Sequence, residues 1–116
     1  MFTSEIGVRV TVRGEHYWKD APPHRYYLQS PHVHEFQITA YAPVSHTDRD
    51  IEFHDLQDGI LGSLQQLYGR HFAGNFFLFE GRSCEAIGED LLRLMPSVTT
   101  VIVSEDDSCW AEVHRE

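Results

Sequence analysis

His32 and His34 flank a single residue at the start of the apolar run Phe36-Gln37-Ile38-Thr39-Ala40-Tyr41. In an extended strand, residues two apart point to the same face, so this spacing sets two imidazoles side by side. Two such nitrogens are two-thirds of the protein ligands of a catalytic zinc site, which takes three and keeps one position open. His16 closes another alternating segment, Gly7 to Gly14 and just beyond, and is the candidate third ligand. The competing reading is a strand carrying two surface histidines, in a chain that has eight histidines to distribute.

Positioning these rings requires strands. From residue 6 to 13, Ile6, Val8, Val10 and Val12 share one face and polar groups the other, the pattern of a half-buried strand. A polar loop is expected from Glu15 to Pro31, where Pro22-Pro23 opposes regular structure. A second strand follows from Val33 to Ala42, ended by Pro43. From Phe53 the spacing turns helical, with Phe53, Leu56, Ile60, Leu61, Leu64, Leu67 and Tyr68 recurring at three and four. Gly59 and Gly62 weaken that helix by roughly 1 kcal/mol each relative to alanine. A loop rich in Gly and Phe spans residues 69 to 82. Ser83 then caps a second helix, with Glu85 and Glu89 near its positive start, an apolar stripe of Ala86, Ile87, Leu91, Leu92 and Met95, and Pro96 as its stop. Thr99 to Val103 and Cys109 to Val113 are strands joined through Asp106-Asp107-Ser108, which suits a hairpin turn.

The resulting order is β-β-α-α-β-β in a single domain over residues 1–116. This is an α+β architecture, a four-stranded antiparallel sheet with two helices on one face. Such a sheet leaves two edges unpaired, so association of copies into a closed barrel is expected. Eighteen acidic residues against nine basic ones, and no Lys/Arg cluster, oppose phosphate contacts and exclude nucleic acid as the expected partner. No apolar run reaches the ~18 residues of a membrane-spanning helix. The opening Met1 to Ile6 lacks the basic start and apolar core of a signal peptide, so a cytoplasmic location is expected. In that reducing compartment Cys84 and Cys109 are expected as free thiols.

Taken together, the motifs resemble the 6-pyruvoyltetrahydropterin synthase and 6-carboxytetrahydropterin synthase family, whose tunnelling fold (T-fold) has this same element order. The first zinc histidine of that family ends strand one, where Arg13-Gly14-Glu15-His16 stands. Its His-Gly-His-Asn-Tyr signature is similar to His32-Val33-His34-Glu35-Phe36. Its Val-Ile-Asp-Phe-x-x-Leu-Lys approach to helix one resembles Asp50-Ile51-Glu52-Phe53-His54-Asp55-Leu56-Gln57. Its Pro-Thr-x-Glu-Asn start of helix two resembles Arg82-Ser83-Cys84-Glu85-Ala86, and its Glu-Thr turn with Ser-x-Ala-x-Tyr resembles Glu105 to Val113. The resemblance covers about 100 residues. It implies zinc (Zn2+) held by His16, His32 and His34, a pterin ring held by Glu105, and a pocket bordered by Ser83 and Glu85, with Ser83 equally a plain helix cap. It also implies a pocket between subunits and a homo-oligomer, hexameric in the family.

Three features depart from the family. A proton-abstracting cysteine lies four to six residues before its His-x-His pair, where this chain has Leu28, Tyr27 and Tyr26. Tyr26 or Tyr27 is the candidate replacement, although an unperturbed phenol has a pKa near 10 and needs zinc or burial beside it. The family also pairs an aspartate with a histidine after helix one. Here Arg70 precedes His71, which is either the catalytic histidine without its aspartate or an ordinary loop histidine. Val33 replaces the glycine between the ligands, which a strand accepts.

Of the remaining candidates, His24, His46, His54 and His114 read as surface residues, and Trp18 and Trp110 as core or interface anchors. Phe72, Phe76, Phe77 and Phe79 suggest an apolar surface covered by a neighbouring subunit. Lys19, Arg25 and Arg70 are the cations available to a triphosphate. The resemblance implies a zinc-dependent lyase acting on dihydroneopterin triphosphate or a related pterin, of the carboxy-forming branch that feeds deazapurine (queuosine-type) synthesis. The alternative is a zinc- and pterin-binding protein with altered or lost catalysis. A cupin-like metal enzyme also begins with His-x-His, but belongs to an all-β barrel, which the two helices oppose.

Overall fold

In the computed structural model, which describes residues 1–69 and 76–116, the strand pattern extends further than its apolar residues alone suggest. β1 runs Ser4–His16 and β2 runs His32–Val44, and they pair antiparallel along their whole length. α1 (Phe53–Tyr68), β3 (Phe76–Glu80), α2 (Cys84–Leu94), β4 (Thr100–Glu105) and β5 (Cys109–His114) follow. The sheet order is β3-β1-β2-β4-β5, with β3 parallel to β1 and the other pairs antiparallel.

Alternation assigns the faces. Val8, Val10 and Val12 of β1, Phe36, Ile38, Ala40 and Ala42 of β2, and Val101 and Val103 of β4 are buried. They form one core with Leu56, Ile60 and Leu64 of α1 and Ile87, Leu91 and Leu92 of α2. The α+β class with both helices packed on the sheet is therefore as expected from the sequence. α1 forms despite its two glycines because its apolar stripe is buried, and tertiary burial outweighs propensity. Ser83 caps α2 by accepting from the Ala86 N–H at 3.1 Å.

Five local expectations are corrected. The sheet has five strands rather than four, since β3 lies inside the segment expected to be a loop. Its aromatic run is only five residues long, too short for periodicity to separate from loop. Phe77 and Phe79, expected at a subunit surface, are 0% and 1% exposed and belong to the core; Phe72 lies outside the described residues. The Pro-Pro loop contains a 3-10 segment, Pro23–Gln29, because proline's fixed φ suits the first turn of a helix. β2 passes Pro43, which pairs with Glu5 of β1 where β4 no longer runs alongside, so the missing N–H faces an open side. Trp18 and Trp110, expected as core or interface anchors, are exposed in the single chain and so take no part in its core. Among the described residues no helix is long and apolar enough to cross a membrane.

Candidate metal centre

The metal candidates extend the core face past its apolar end. His16 is the last residue of β1, His32 and His34 open β2, and the register pairs His16 with His32 and Gly14 with His34. Since even-numbered residues of both strands face the helices, all three rings emerge on that side, just beyond Val12 and Phe36. Ring centroids lie 4.6 Å (His16–His32), 5.4 Å (His16–His34) and 5.0 Å (His32–His34) apart. The three residues offer ligand nitrogens that all lie within 4.8 Å of one another. Phe36 forms the floor, its ring edge-on to His16 at 5.3 Å and to His34 at 5.8 Å. Gly14 leaves the space beside it: a Cβ there would stand 2.3 Å from the Phe79 ring and 3.0 Å from Phe36.

Each imidazole is oriented through its other nitrogen. His16 Nδ1 donates to the Arg82 carbonyl at 3.1 Å, and His32 Nδ1 donates to the Ser30 carbonyl at 2.9 Å. His34 Nδ1 meets the Asp106 carboxylate. Carbonyl and carboxylate oxygens only accept, so Nδ1 carries the proton and the Nε2 lone pair of each neutral ring is left for a ligand. An acceptor behind each ring is the arrangement that metal-ligating histidines ordinarily have. Burial also lowers the pKa of His16, opposed by the Arg82 hydrogen bond and Glu105 and reinforced by the neighbouring histidines. The donor set therefore fits a borderline divalent ion such as zinc.

The outer supports are fixed in turn. Asp106 also accepts from the Glu35 N–H at 2.9 Å, and this bond, with that from His34, holds its carboxyl below the usual range. Asp106 and Asp107 take φ values of 48° and 66°, the left-handed pair that a tight hairpin of this hand requires. Behind His16, the Arg82 guanidinium grips Asp90 at 2.7 and 3.0 Å, and Asp90 accepts from the Tyr68 hydroxyl at 2.6 Å. That cluster ties the Arg82 peptide to both helices. Replacing Asp106 by asparagine keeps the turn, since asparagine tolerates positive φ, but removes the charged acceptor. Zinc affinity is expected to fall about 10- to 100-fold with the melting temperature nearly unchanged, measured by competition with a chromophoric chelator.

Glu105 joins the site from the end of β4, paired with Phe36. Its Oε1 lies 3.3 Å from His16 Nε2 and its Oε2 3.6 Å from His34 Nε2. Cys84, at the start of α2, donates its S–H to Glu105 Oε1 at 3.3 Å. Burial, then the Glu105 carboxylate, pushes that thiol well above its ordinary pKa, so it stays protonated. A cavity of about 320 Å³ opens over these groups, lined among others by His16, His32, Leu28, Ser83, Glu85 and Glu105.

The sequence candidates His16, His32, His34, Glu105, Ser83 and Glu85 thus come together. Tyr26 and Tyr27 do not: both are exposed, their rings 6.2 Å from each other, and neither lines the cavity. His71 lies outside the described residues. Two further residues of the site are missed by sequence reasoning, which offers Asp106 only as a turn residue and Cys84 only as a free thiol; adjacency to Glu105 is the available signal for Asp106.

No protein-family model matches this chain, and no curated protein does. Solved structures do match. A Caenorhabditis elegans 6-pyruvoyl tetrahydropterin synthase superposes with a TM-score of 0.68 at 9% identity, over 100% of this chain and 98% of that one. A Plasmodium vivax 6-pyruvoyltetrahydropterin synthase, in a variant with a catalytic glutamate replaced by alanine, gives 0.66 at 17% identity, over 100% and 99%. An uncharacterized protein from Wolinella succinogenes gives 0.68 at 13% identity, over 100% of both chains. At such identities the likeness establishes architecture. The chain therefore carries the tunnelling fold of the 6-pyruvoyltetrahydropterin synthases.

Proposed function

We propose that this protein is a zinc-dependent pterin lyase of the 6-carboxytetrahydropterin synthase type, acting on dihydroneopterin triphosphate or a related pterin in deazapurine (queuosine-type) synthesis. The observation that carries the reading is the convergence of three imidazoles, each backed by an acceptor at Nδ1, beside a cavity that His16 and His32 line together with a carboxylate. His16, His32 and His34 would hold the ion, which when bound supplies Lewis acidity to a ligand hydroxyl. Glu105 is suited to accept from the N–H edge of a pterin ring, a charge-assisted contact. Ser83 and Glu85 border the same cavity, whose size is near the lower end for small-molecule sites. We assign proton transfer to His71 or to Tyr26 and Tyr27, brought to the cavity by a second copy in a homo-oligomer.

A second reading, a zinc- and pterin-binding protein without turnover, is favoured by one observation. Among the described residues, the thiol that lines the cavity, Cys84, is held protonated, and neither tyrosine of the preceding loop lines it in one chain. The experiment that separates the two measures zinc per subunit and then acetaldehyde release from dihydroneopterin triphosphate. Zinc with product supports the lyase; zinc without product supports binding alone; metal-free protein of unchanged stability removes both.

Acidification supplies a further check. Each imidazole must be neutral to bind the ion, so affinity falls as pH drops through the histidine range, around 6.5. Because the His16 pKa is lowered, this ring keeps its lone pair to lower pH than an ordinary histidine. Zinc retention is therefore expected to be full above neutrality and lost on the acid side of 6.5, as measured by metal content after equilibrium dialysis.

A further inference from the structure

We propose that Trp18 is the stacking platform of this cavity, its indole covering one face of a flat fused-ring ligand whose N–H edge meets the carboxylates. The inference rests on the pterin reading above and deepens it by naming the residue that selects for a flat ring. Trp18 stands two positions after His16, in the connection that leaves β1. With Leu28 it gives the cavity an apolar lining, whereas Ser83, Glu85 and Glu105, from the start of α2 and the end of β4, give it a polar one. A pterin-like heterocycle needs both at once. Its N–H edge donates to carboxylates, and its apolar faces gain by leaving water.

The indole is open to such a ligand. Trp18 is 50% exposed, so apolar surface at the cavity stays in water until something covers it. Its backbone is nonetheless fixed. The Trp18 N–H donates to the Leu28 carbonyl at 2.7 Å, and the Trp18 carbonyl accepts from the Ala21 N–H at 3.1 Å. Gln29 Nε2 donates to the carbonyl of the buried Ala21 at 3.0 Å, and the Tyr17 N–H donates to the Glu80 carbonyl at 2.8 Å. An aromatic side chain on a backbone already held in place stacks with little further ordering cost. Trp110 is also exposed, but it lies on β5, does not line this cavity, and donates its Nε1–H to Glu112 at 3.3 Å. Of the two exposed indoles, Trp18 is the one that borders the site.

Neopterin, a flat pterin, is the probe, titrated into the zinc-loaded protein by calorimetry. Trp18→Ala is expected to weaken binding about 5- to 150-fold, the loss that follows removal of an aromatic platform from beneath a stacked base. Trp18→Phe keeps a flat face and is expected to retain most of the affinity, and Trp110→Phe all of it. Melting temperatures should hold in all three, since neither tryptophan is buried. The Trp110→Phe protein has Trp18 as its one tryptophan, and saturation with neopterin is expected to shield that emission from the quencher acrylamide. This readout leaves Trp18 in place and decides the matter even if Trp18→Ala folds poorly. Wild-type affinity in Trp18→Ala, or unshielded emission at saturation, overturns the inference and leaves the pterin reading standing. A changed oligomeric state in Trp18→Ala with affinity intact also overturns it, assigning the indole to a subunit contact. Zinc-loaded wild type that does not bind neopterin overturns the pterin reading and the inference with it.

Discussion

Replacing His34 by alanine is expected to strip zinc from the protein while leaving the fold intact. The side chain is about one-fifth exposed, at 21%, and is not part of the buried core, so its removal opens little buried volume. Asp106 loses one partner but keeps the Glu35 N–H, which limits the stability change to about 1 kcal/mol. The metal loses one of three nitrogen ligands, a larger change than the ~10- to 100-fold cost of altering a supporting residue. Zinc per subunit after dialysis should fall from near one to near zero, with an unchanged circular dichroism spectrum. Retention of zinc at full occupancy would show that His34 is a bystander and that the convergence of rings has no chemical use.

Phe36→Ala is expected to have the largest effect on stability. The ring is 0% exposed, packs edge-on against Phe79 at 4.9 Å, and supports His16 and His34 from below. Truncating a buried phenylalanine costs about 3–5 kcal/mol through lost transfer energy and the cavity left behind. For a domain of this size that corresponds to a fall in melting temperature of roughly 10–20 °C. Because Phe36 is the floor under two of the proposed ligands, zinc affinity should fall along with stability, whereas Leu64→Ala, a core change in α1 distant from the rings in sequence and element, should lower stability alone. A Phe36→Ala protein that melts within 1 °C of the wild type would mean that the ring is not the keystone of this end of the core. Thermal denaturation with and without added zinc measures both quantities together.

The relation between sequence and site follows from which contacts are local. Strand periodicity is a property of consecutive residues. It was enough to set His32 and His34 on one face, to place His16 at the end of a neighbouring strand, and to find both helices. The α+β class followed from the order of those segments. β3 escaped because a five-residue aromatic run carries almost no period, and its burial comes from pairing with β1, a segment about 60 residues earlier. Its phenylalanines look like an exposed patch until the sheet edge that covers them is known.

What the chain by itself determined, then, was a set of candidates: two imidazoles whose spacing follows from the pleat of a strand, a third at the end of the preceding strand and, through the family resemblance, a carboxylate just before a hairpin turn. Only the tertiary structure decided how those donors are held. The Arg82 carbonyl that orients His16 is 66 residues away in sequence, and the Asp106 carboxylate that orients His34 is 72 residues away. Cys84 meets Glu105 across 21 residues, from a helix start to a strand end. Such pairs leave no imprint on local hydropathy, because hydrogen bonds between strand ends depend on register and sheet order, and those are settled by packing of the whole core rather than by the residues that meet.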